Sequence, residues 1–333
     1  MCSTILMQMK ITFLDASTLG DTPLDKIAAQ GELACYPISS REEALQRVTD
    51  TEVLIINKIK VDKELMDAAP ALKLICEAAT GVNNIDIEEA ARRGIPVRNV
   101  AAYSTDSVVQ TTFMHILSLL GNAPYFDGAV KNGSYSRGPI FTDVSRNTGE
   151  ISGKKLGIIG MGAIGSKVAS IGEAFGMKVS YFSTSGTSHC KEYPSVSLDT
   201  LLRESDVISI HAPLNDRTNG LIRSRELSLM KPTAIIINMG RGGIIDEKDL
   251  ADAIDRASIG GAALDVFVKE PLPADSPLLH TSHPELLRFT PHTGWASVEA
   301  RQRLVEAIAL NIVEVTKHLP FSQIPNPDIS VIH

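Results

Sequence analysis

The sequence predicts an α/β protein of two doubly wound parallel-sheet domains, one inserted into the other. Three observations predict it. The chain is 333 residues long, it carries two separate series of short β-rich runs alternating with helix-sized segments, and it ends in an amphipathic stretch that follows the second series. Beyond about 250–300 residues a single core stops growing and chains divide. Strands separated by helix-sized segments form βαβ units, and therefore parallel sheets.

The first series lies between Lys10 and Asn99: KITFLD, ELACY, VLIIN, LKLICEA and IPVRN, with REEALQRVT and DIEEAARRG among the segments between them. The stretch STDSVVQTTFMHILSLLG follows, where Ser104 or Thr105 caps a helix apolar on several sides, which joins the domains. His115 inside it is expected to be a packed residue. Residues 121–150 are rich in Gly, Asn and Ser with poor periodicity, and read as an extended arm or loop. The second series is KLGIIG, MKVSYFS, VISIHA, AIIINMG, GGAALDVF and LRFTPH, each ending in a turn. Finally, SVEARQRLVEAIALNIVEVTKHL spaces Val305, Ile308, Ile312, Val315 and Leu319 by three and four, the stripe of an amphipathic helix that crosses back to the first domain. The expected division is residues 1–103 with 297–333 for one domain and 104–296 for the other.

Composition excludes several classes. With 44% hydrophobic and 21% charged residues the chain has the make-up of a soluble globular protein, and no apolar run approaches the roughly 20 residues that span a bilayer. The start, MCSTILMQMKITFLD, lacks a basic n-region and a small-residue cleavage site, so it is not read as a signal peptide, and Met9 is expected to open the folded structure. A net charge of −7 without a basic stripe argues against nucleic acid as a partner. Cys2, Cys35, Cys76 and Cys190 are scattered with no CxxC pair, so neither a disulfide framework nor a metal site is expected, and a reducing cytoplasm fits.

The motif GIIGMGAIGSKVA carries the first functional signal. Gly160, Gly162 and Gly165 form GxGxxG directly after an apolar strand and directly before a helix with Ile164, Val168, Ile171 and Phe175 on one face. Strand, glycines and helix in that order make the dinucleotide-binding turn of a Rossmann-type domain: a tight turn, close backbone approach to the pyrophosphate, and a helix N-terminus facing the phosphates. Backbone from Gly160, Gly162, Ala163, Ile164 and Gly165 would hold the cofactor. At the end of the next strand, where an acidic residue would bind the adenosine ribose diol, stands Ser183, followed by Thr184 and Ser185. These hydroxyls suit a diol or a phosphate alike. No arginine follows in this loop and the next basic residue along the chain is Lys191, so NAD(H) is expected to be favoured, with NADP(H) as the alternative.

Three ionisable residues fall just beyond later strands of the same sheet, the rim where open α/β folds place ligands: Arg241 after AIIINMG, Glu270 after AALDVFVK and His292 after LRFTP. Transfer of a hydride to a carbonyl needs a proton donor for the forming alkoxide, and imidazole is the side chain that changes charge near neutral pH. A carboxylate beside it would fix the ring. A guanidinium offers a planar fork for a substrate carboxylate. Together the three point to a 2-oxo acid.

The stretches GMGAIG, HAPLNDRT, NMGRGGIIDEKDL, ALDVFVKEPLP and TPHTGWAS, in that order and over nearly the whole chain, resemble the D-2-hydroxyacid dehydrogenase family. The resemblance implies a Rossmann-type cofactor domain inserted into a flavodoxin-like substrate domain, with Arg241 orienting the substrate, Glu270 supporting the histidine, and His292 as the acid/base. It further implies that N–H groups of Thr80, Gly81 and Val82 in ATGVNNID hold the substrate carboxylate, although Asn83 alters the usual glycine-plus-acid pattern of that loop. Ala212, Pro213 and Thr218 would line the nicotinamide side, Met239 and Gly240 would approach the cofactor, Asp265 would meet the carboxamide or simply cap a turn, and Trp295 would wall the pocket or join the core. His211 is expected to be structural. YFSTSG and HTGWAS resemble the glycerate dehydrogenase, or hydroxypyruvate reductase, branch, and residues 121–150 resemble the dimerisation arm, so a homodimer is expected. The alternatives are a short phosphoglycerate dehydrogenase and a non-catalytic NAD-sensing scaffold. Formate dehydrogenases pair their histidine with glutamine, and Glu270 is acidic.

Overall fold

The computed structural model describes residues 8–188 and 190–317, so Cys2, Leu319 and most of the apolar start lie outside the described residues. The chain divides into two compact units, Met1–Ser104 with Ala296–His333, and Thr105–Trp295.

The first unit is built on five parallel strands: β1 (Lys10–Phe13), β2 (Glu32–Cys35), β3 (Val53–Ile56), β4 (Leu74–Glu77) and β5 (Val97–Arg98), in the order β2-β1-β3-β4-β5. This is the 2-1-3-4-5 order of flavodoxin-like sheets. Every residue of β3 and β4 is buried, which is why β3 and the first three residues of β4 read as apolar runs: a parallel sheet is covered on both faces. Side chains start the covering helices. Ser40 and Glu43 form a reciprocal capping box ahead of Arg41–Arg47, and Asp62 and Asp86 accept from the third helical N–H of their own helices. The terminal helix Val298–Lys317 belongs to this unit and packs on β4 and on the helix Asp25–Ala28. Val305, Ile308, Ile312 and Val315 of its stripe are buried.

The second unit carries six parallel strands: β6 (Lys155–Ile159), β7 (Lys178–Phe182), β8 (Val207–Ile210), β9 (Ile235–Asn238), β10 (Gly261–Leu264) and β11 (Leu287–Phe289), in the order β11-β10-β9-β8-β6-β7. An isolated parallel bridge between Tyr181 and Ser195 stands beyond β7, where a further strand of a Rossmann sheet would pair. One face is covered by the helices Thr105–Leu120 and Ala163–Ala174, the other by Leu198–Glu204, Ser224–Leu229 and Glu247–Asp255. Chain order reverses between β6 and β8, so the ligand crevice of this unit is expected at the carboxyl ends of those strands.

Residues 121–150 correct the sequence reading of an extended arm. They hold a helix, Ala123–Lys131, and a 3-10 turn, Tyr135–Arg137. Pro124 sits in the first helical turn, where its missing N–H costs nothing, and Lys131 pairs with Asp127 at 2.7 Å one turn away. The periodicity is concealed because Ala129 is the helix's one buried residue, while Tyr125, Val130, Tyr135, Ile140, Phe141 and Val144 are exposed. Among the described residues no helix is long and apolar enough to cross a membrane.

Candidate active site

The three glycines of the turn after β6 do different things. Gly160 has φ +94° and a Cβ there would lie 2.9 Å from the Ala212 backbone, so both turn and close packing require glycine. A Cβ on Gly165 would lie 2.2 Å from the Gly160 carbonyl oxygen. Gly162 is unlike both: its φ is negative, and nothing lies within 4 Å of where its Cβ would be. It also stands at the N-cap of the helix Ala163–Ala174 without a side-chain cap. Ala163 is exposed and Ile164 partly buried behind it. Open space over a helix start whose N–H groups lack a capping side chain fits a pyrophosphate, which needs backbone approach and positive potential.

At the adenosine end, the Gly160 N–H donates to the Phe182 carbonyl at 3.1 Å, so the residues after β7 adjoin the glycine turn. The Ser183 hydroxyl donates to the Thr187 carbonyl at 2.7 Å and lies 3.1 Å from the Ser185 hydroxyl, while Thr184 is partly exposed. The premise that no arginine serves this loop does not hold. Arg217, 32 residues on from Ser185, donates from Nη1 to the Ser185 carbonyl at 2.6 Å.

The acid/base candidates meet. His292 Nδ1 lies 2.6 Å from Glu270 Oε2, with side-chain exposures of 24% and 31%. A carboxylate only accepts, so Nδ1 carries the proton and Nε2 is left for other work. Glu270 Oε1 accepts the Phe267 N–H at 3.0 Å. His292 is held at φ +54°, an uncommon conformation for a residue with a Cβ, by its N–H donating to the carbonyls of Asp265 (2.8 Å) and Thr290 (3.0 Å). Arg241 leaves the turn after β9. Buried Asn238 clamps that turn, accepting the Gly240 N–H at 3.0 Å and donating to the Arg241 carbonyl at 2.9 Å. A Cβ on Gly242 would lie 2.0 Å from the Phe267 carbonyl oxygen. The arginine turn therefore rests on the backbone whose N–H holds Glu270. The guanidinium itself donates to the Gly240 carbonyl at 2.9 Å.

Behind His292 runs a buried polar chain that sequence reasoning missed. Asp265 accepts the Thr293 and Gly294 N–H groups at 2.9 Å and the Thr290 hydroxyl at 2.6 Å. Since Thr290 donates to Asp265, it accepts from His115 Nε2 at 3.0 Å. Burial lowers the pKa of His115, in keeping with a neutral ring. These contacts make Asp265 organise the turn that carries His292. His211 is likewise packed: its Nε2 meets Ser209 at 2.8 Å, and burial pushes the imidazole down to about 3. Thr218 does not present its hydroxyl to solvent. It is fully buried and donates to the Pro213 carbonyl at 2.6 Å, shaping the turn after β8 instead. Ala212 and Met239 are buried, Gly240 approaches the Ala212 carbonyl, and Pro213 is exposed. Trp295 is partly buried against the Ile158–Val168–Met239 cluster.

In the first unit, the Thr80 hydroxyl donates to the Val100 carbonyl at 3.0 Å and Asn99 donates to the Thr80 carbonyl at 2.6 Å. The N–H groups of Thr80, Gly81 and Val82 are paired with no other described residue, the state expected of an anion-binding loop. Asn84 at its far end donates to the Ile59 carbonyl and to Glu77 Oε2, both at 3.0 Å. Glu77 is fully buried, its Oε1 has no partner among the described residues, and burial pushes its carboxyl up to about 9. No group of three or more His, Cys, Asp or Glu among the described residues could hold a metal ion.

Residues 113–294 match the family model of the D-isomer specific 2-hydroxyacid dehydrogenase, NAD binding domain. A hydroxypyruvate reductase of Blautia hydrogenotrophica is 34% identical over 321 residues, 94% of this chain and 98% of the relative. A D-lactate dehydrogenase of Aquifex aeolicus, solved with NAD and lactic acid, superposes with TM-score 0.81 at 30% identity, covering 92% of this chain and 96% of that one. An acyclic imino acid reductase (Bsp5), solved with NADPH and D-Arg, superposes with TM-score 0.79 at 30% identity over the same shares. The match of the cofactor unit and the near full-length likeness to these relatives agree, and the chain belongs to the D-2-hydroxyacid dehydrogenase family, oxidoreductases acting on a CH–OH group.

Proposed function

We propose that this chain reduces a small 2-oxo acid, hydroxypyruvate or glyoxylate, to the corresponding 2-hydroxy acid, D-glycerate or glycolate. The observation that carries the reading is the 2.6 Å contact between His292 and Glu270, on the carboxyl-end rim of the sheet that carries the glycine turn. A bound nicotinamide supplies the hydride. His292 enters protonated and gives the Nε2 proton to the carbonyl oxygen as that oxygen becomes an alkoxide. Glu270 holds Nδ1–H and balances the ring's charge while it is cationic. Arg241 pairs with the substrate carboxylate and polarises the adjoining carbonyl. In the first unit, the N–H groups of Thr80, Gly81 and Val82, paired with no other described residue, suit a carboxylate. The Blautia relative's name supports hydroxypyruvate as the substrate to try first.

A homodimer formed through residues 121–150 is part of the proposal, supported by the exposed Val130, Ile140, Phe141 and Val144 there. Exposed large apolar side chains gathered in one segment suit a surface covered by a partner.

The test is steady-state reduction of hydroxypyruvate, glyoxylate, pyruvate and phosphohydroxypyruvate, each with NADH and with NADPH, followed by loss of reduced-nicotinamide absorbance. Hydroxypyruvate or glyoxylate should give the highest kcat/KM. No turnover with any of the four acids would overturn the proposal, and unimpaired turnover in His292→Ala would remove the histidine from it.

A further inference from the structure

We infer that Arg217 reads the 2′-phosphate of a phosphorylated dinucleotide, so that the adenosine end of the site takes NADP(H); this rests on the dinucleotide site of the proposed function. The loop after β7 lies where the ribose 2′ position of a dinucleotide is read, about 20 residues beyond the glycine turn. The Gly160 N–H bonds the last carbonyl of β7 at 3.1 Å, which joins the two segments. From Ser183 to Ser188 this loop, STSGTS, holds no acidic residue to accept a ribose diol or repel a phosphate. It offers the hydroxyls of Ser183, Thr184 and Ser185 instead.

The cation comes from another part of the chain. Arg217 donates one N–H to the Ser185 carbonyl at 2.6 Å, and its Nη1 would lie 3.4 Å from a Cβ on Gly186. A guanidinium has five N–H donors, and Arg217 makes no ion pair among the described residues, so its charge is not neutralised. Its backbone is fixed in advance. The Arg217 N–H donates to the Asn215 side chain at 3.0 Å, the Asn215 N–H to the Thr218 hydroxyl at 2.9 Å, and that hydroxyl to the Pro213 carbonyl at 2.6 Å. With Thr218 fully buried, the turn is anchored to the core while the guanidinium stays exposed beside the serine loop. Asp216 next to it is exposed and acidic, and the fork of Arg217 must outweigh it. A planar cation held over a run of hydroxyls without a carboxylate suits a phosphate monoester far better than a neutral diol.

The experiment is calorimetric titration of the full chain with 2′,5′-ADP and with 5′-ADP, which differ in the phosphate alone. The wild type should bind 2′,5′-ADP more tightly by about tenfold, the value of one charge-assisted contact of about 1.4 kcal/mol. That ratio should collapse toward one in Arg217→Ala and be restored in part by Arg217→Lys, which keeps the charge without the fork. Equal affinities in the wild type would overturn the inference, as would a preference that survives Arg217→Ala. Failure of both nucleotides to bind would sink the dinucleotide site itself, a different result from either.

Discussion

Glu77→Gln tests the most unusual electrostatic feature of the first unit. Burial pushes the Glu77 carboxyl from 4.5 to about 9, opposed by the Asn84 hydrogen bond and by Lys58, and reinforced by Asp15. It is therefore neutral in the folded chain at neutral pH, whereas the unfolded chain ionises it. Between those two values the folded state holds a proton that the unfolded state has released. The stability that goes with this neutral group is fully present below 4.5 and is lost as pH rises toward 9. One unit is worth about 1.36 kcal/mol, so from about pH 5 to about pH 8 the wild type gives up at most about 4 kcal/mol at this site. Glutamine keeps the shape and the acceptor for Asn84, and titrates nowhere. Asp15, also raised by burial, is common to both proteins and cancels in the comparison. Hydrogen exchange of the β3 and β4 amides, at both pH values, reads the opening free energy of this unit separately from the other. The variant's advantage should grow by a few kcal/mol toward the higher pH. An equal gap at both would mean that Glu77 is ionised in the folded chain and that the reasoning is wrong.

Gly162→Ala should leave Tm within about a degree, since its Cβ meets nothing within 4 Å, yet weaken dinucleotide binding about tenfold or more by standing where the pyrophosphate approaches. Gly165→Ala should do the reverse in kind, costing several kcal/mol in thermal unfolding because its Cβ would lie 2.2 Å from a carbonyl oxygen. For Glu270→Gln, kcat of the reduction should fall about tenfold or more, because the carboxylate that holds Nδ1–H at 2.6 Å is replaced by a neutral amide; an unchanged kcat would uncouple the pair. Thr290→Val removes the link between His115 and Asp265 and should lower kcat about tenfold with little change in cofactor Kd, in keeping with about 1–3 kcal/mol for a buried group left unpaired.

The parts of this protein that were legible in its sequence are those that burial writes there. β3 reads as VLII, and β4 as LIC ahead of Glu77, because a parallel sheet covered on both faces favours apolar residues along the whole strand. The glycine turn was legible because Gly160 and Gly165 answer to local backbone geometry. Arg241, Glu270 and His292 could be picked out because each lies within six residues of the end of a strand, and strand ends form the ligand rim. The helix Ala123–Lys131 escaped because it buries Ala129 alone, so no stripe marks it.

What stayed illegible is polar, and joins residues far apart in the chain. His115 meets Thr290 across 175 positions and Arg217 meets Ser185 across 32. Periodicity reports which side of an element faces a core, and says nothing about which hydroxyl faces which ring once two elements are side by side. The consequence falls on function. The absence of an arginine after Ser183 is true of the sequence and argues for NAD(H), but the three-dimensional neighbour of that loop is set by the turn after β8. A cofactor preference read from the residues that follow one strand leaves that neighbour out. In a doubly wound sheet the strands on either side of the switch point contribute to one crevice, and the charge at the adenosine end must be summed over the loops after β7 and β8 together.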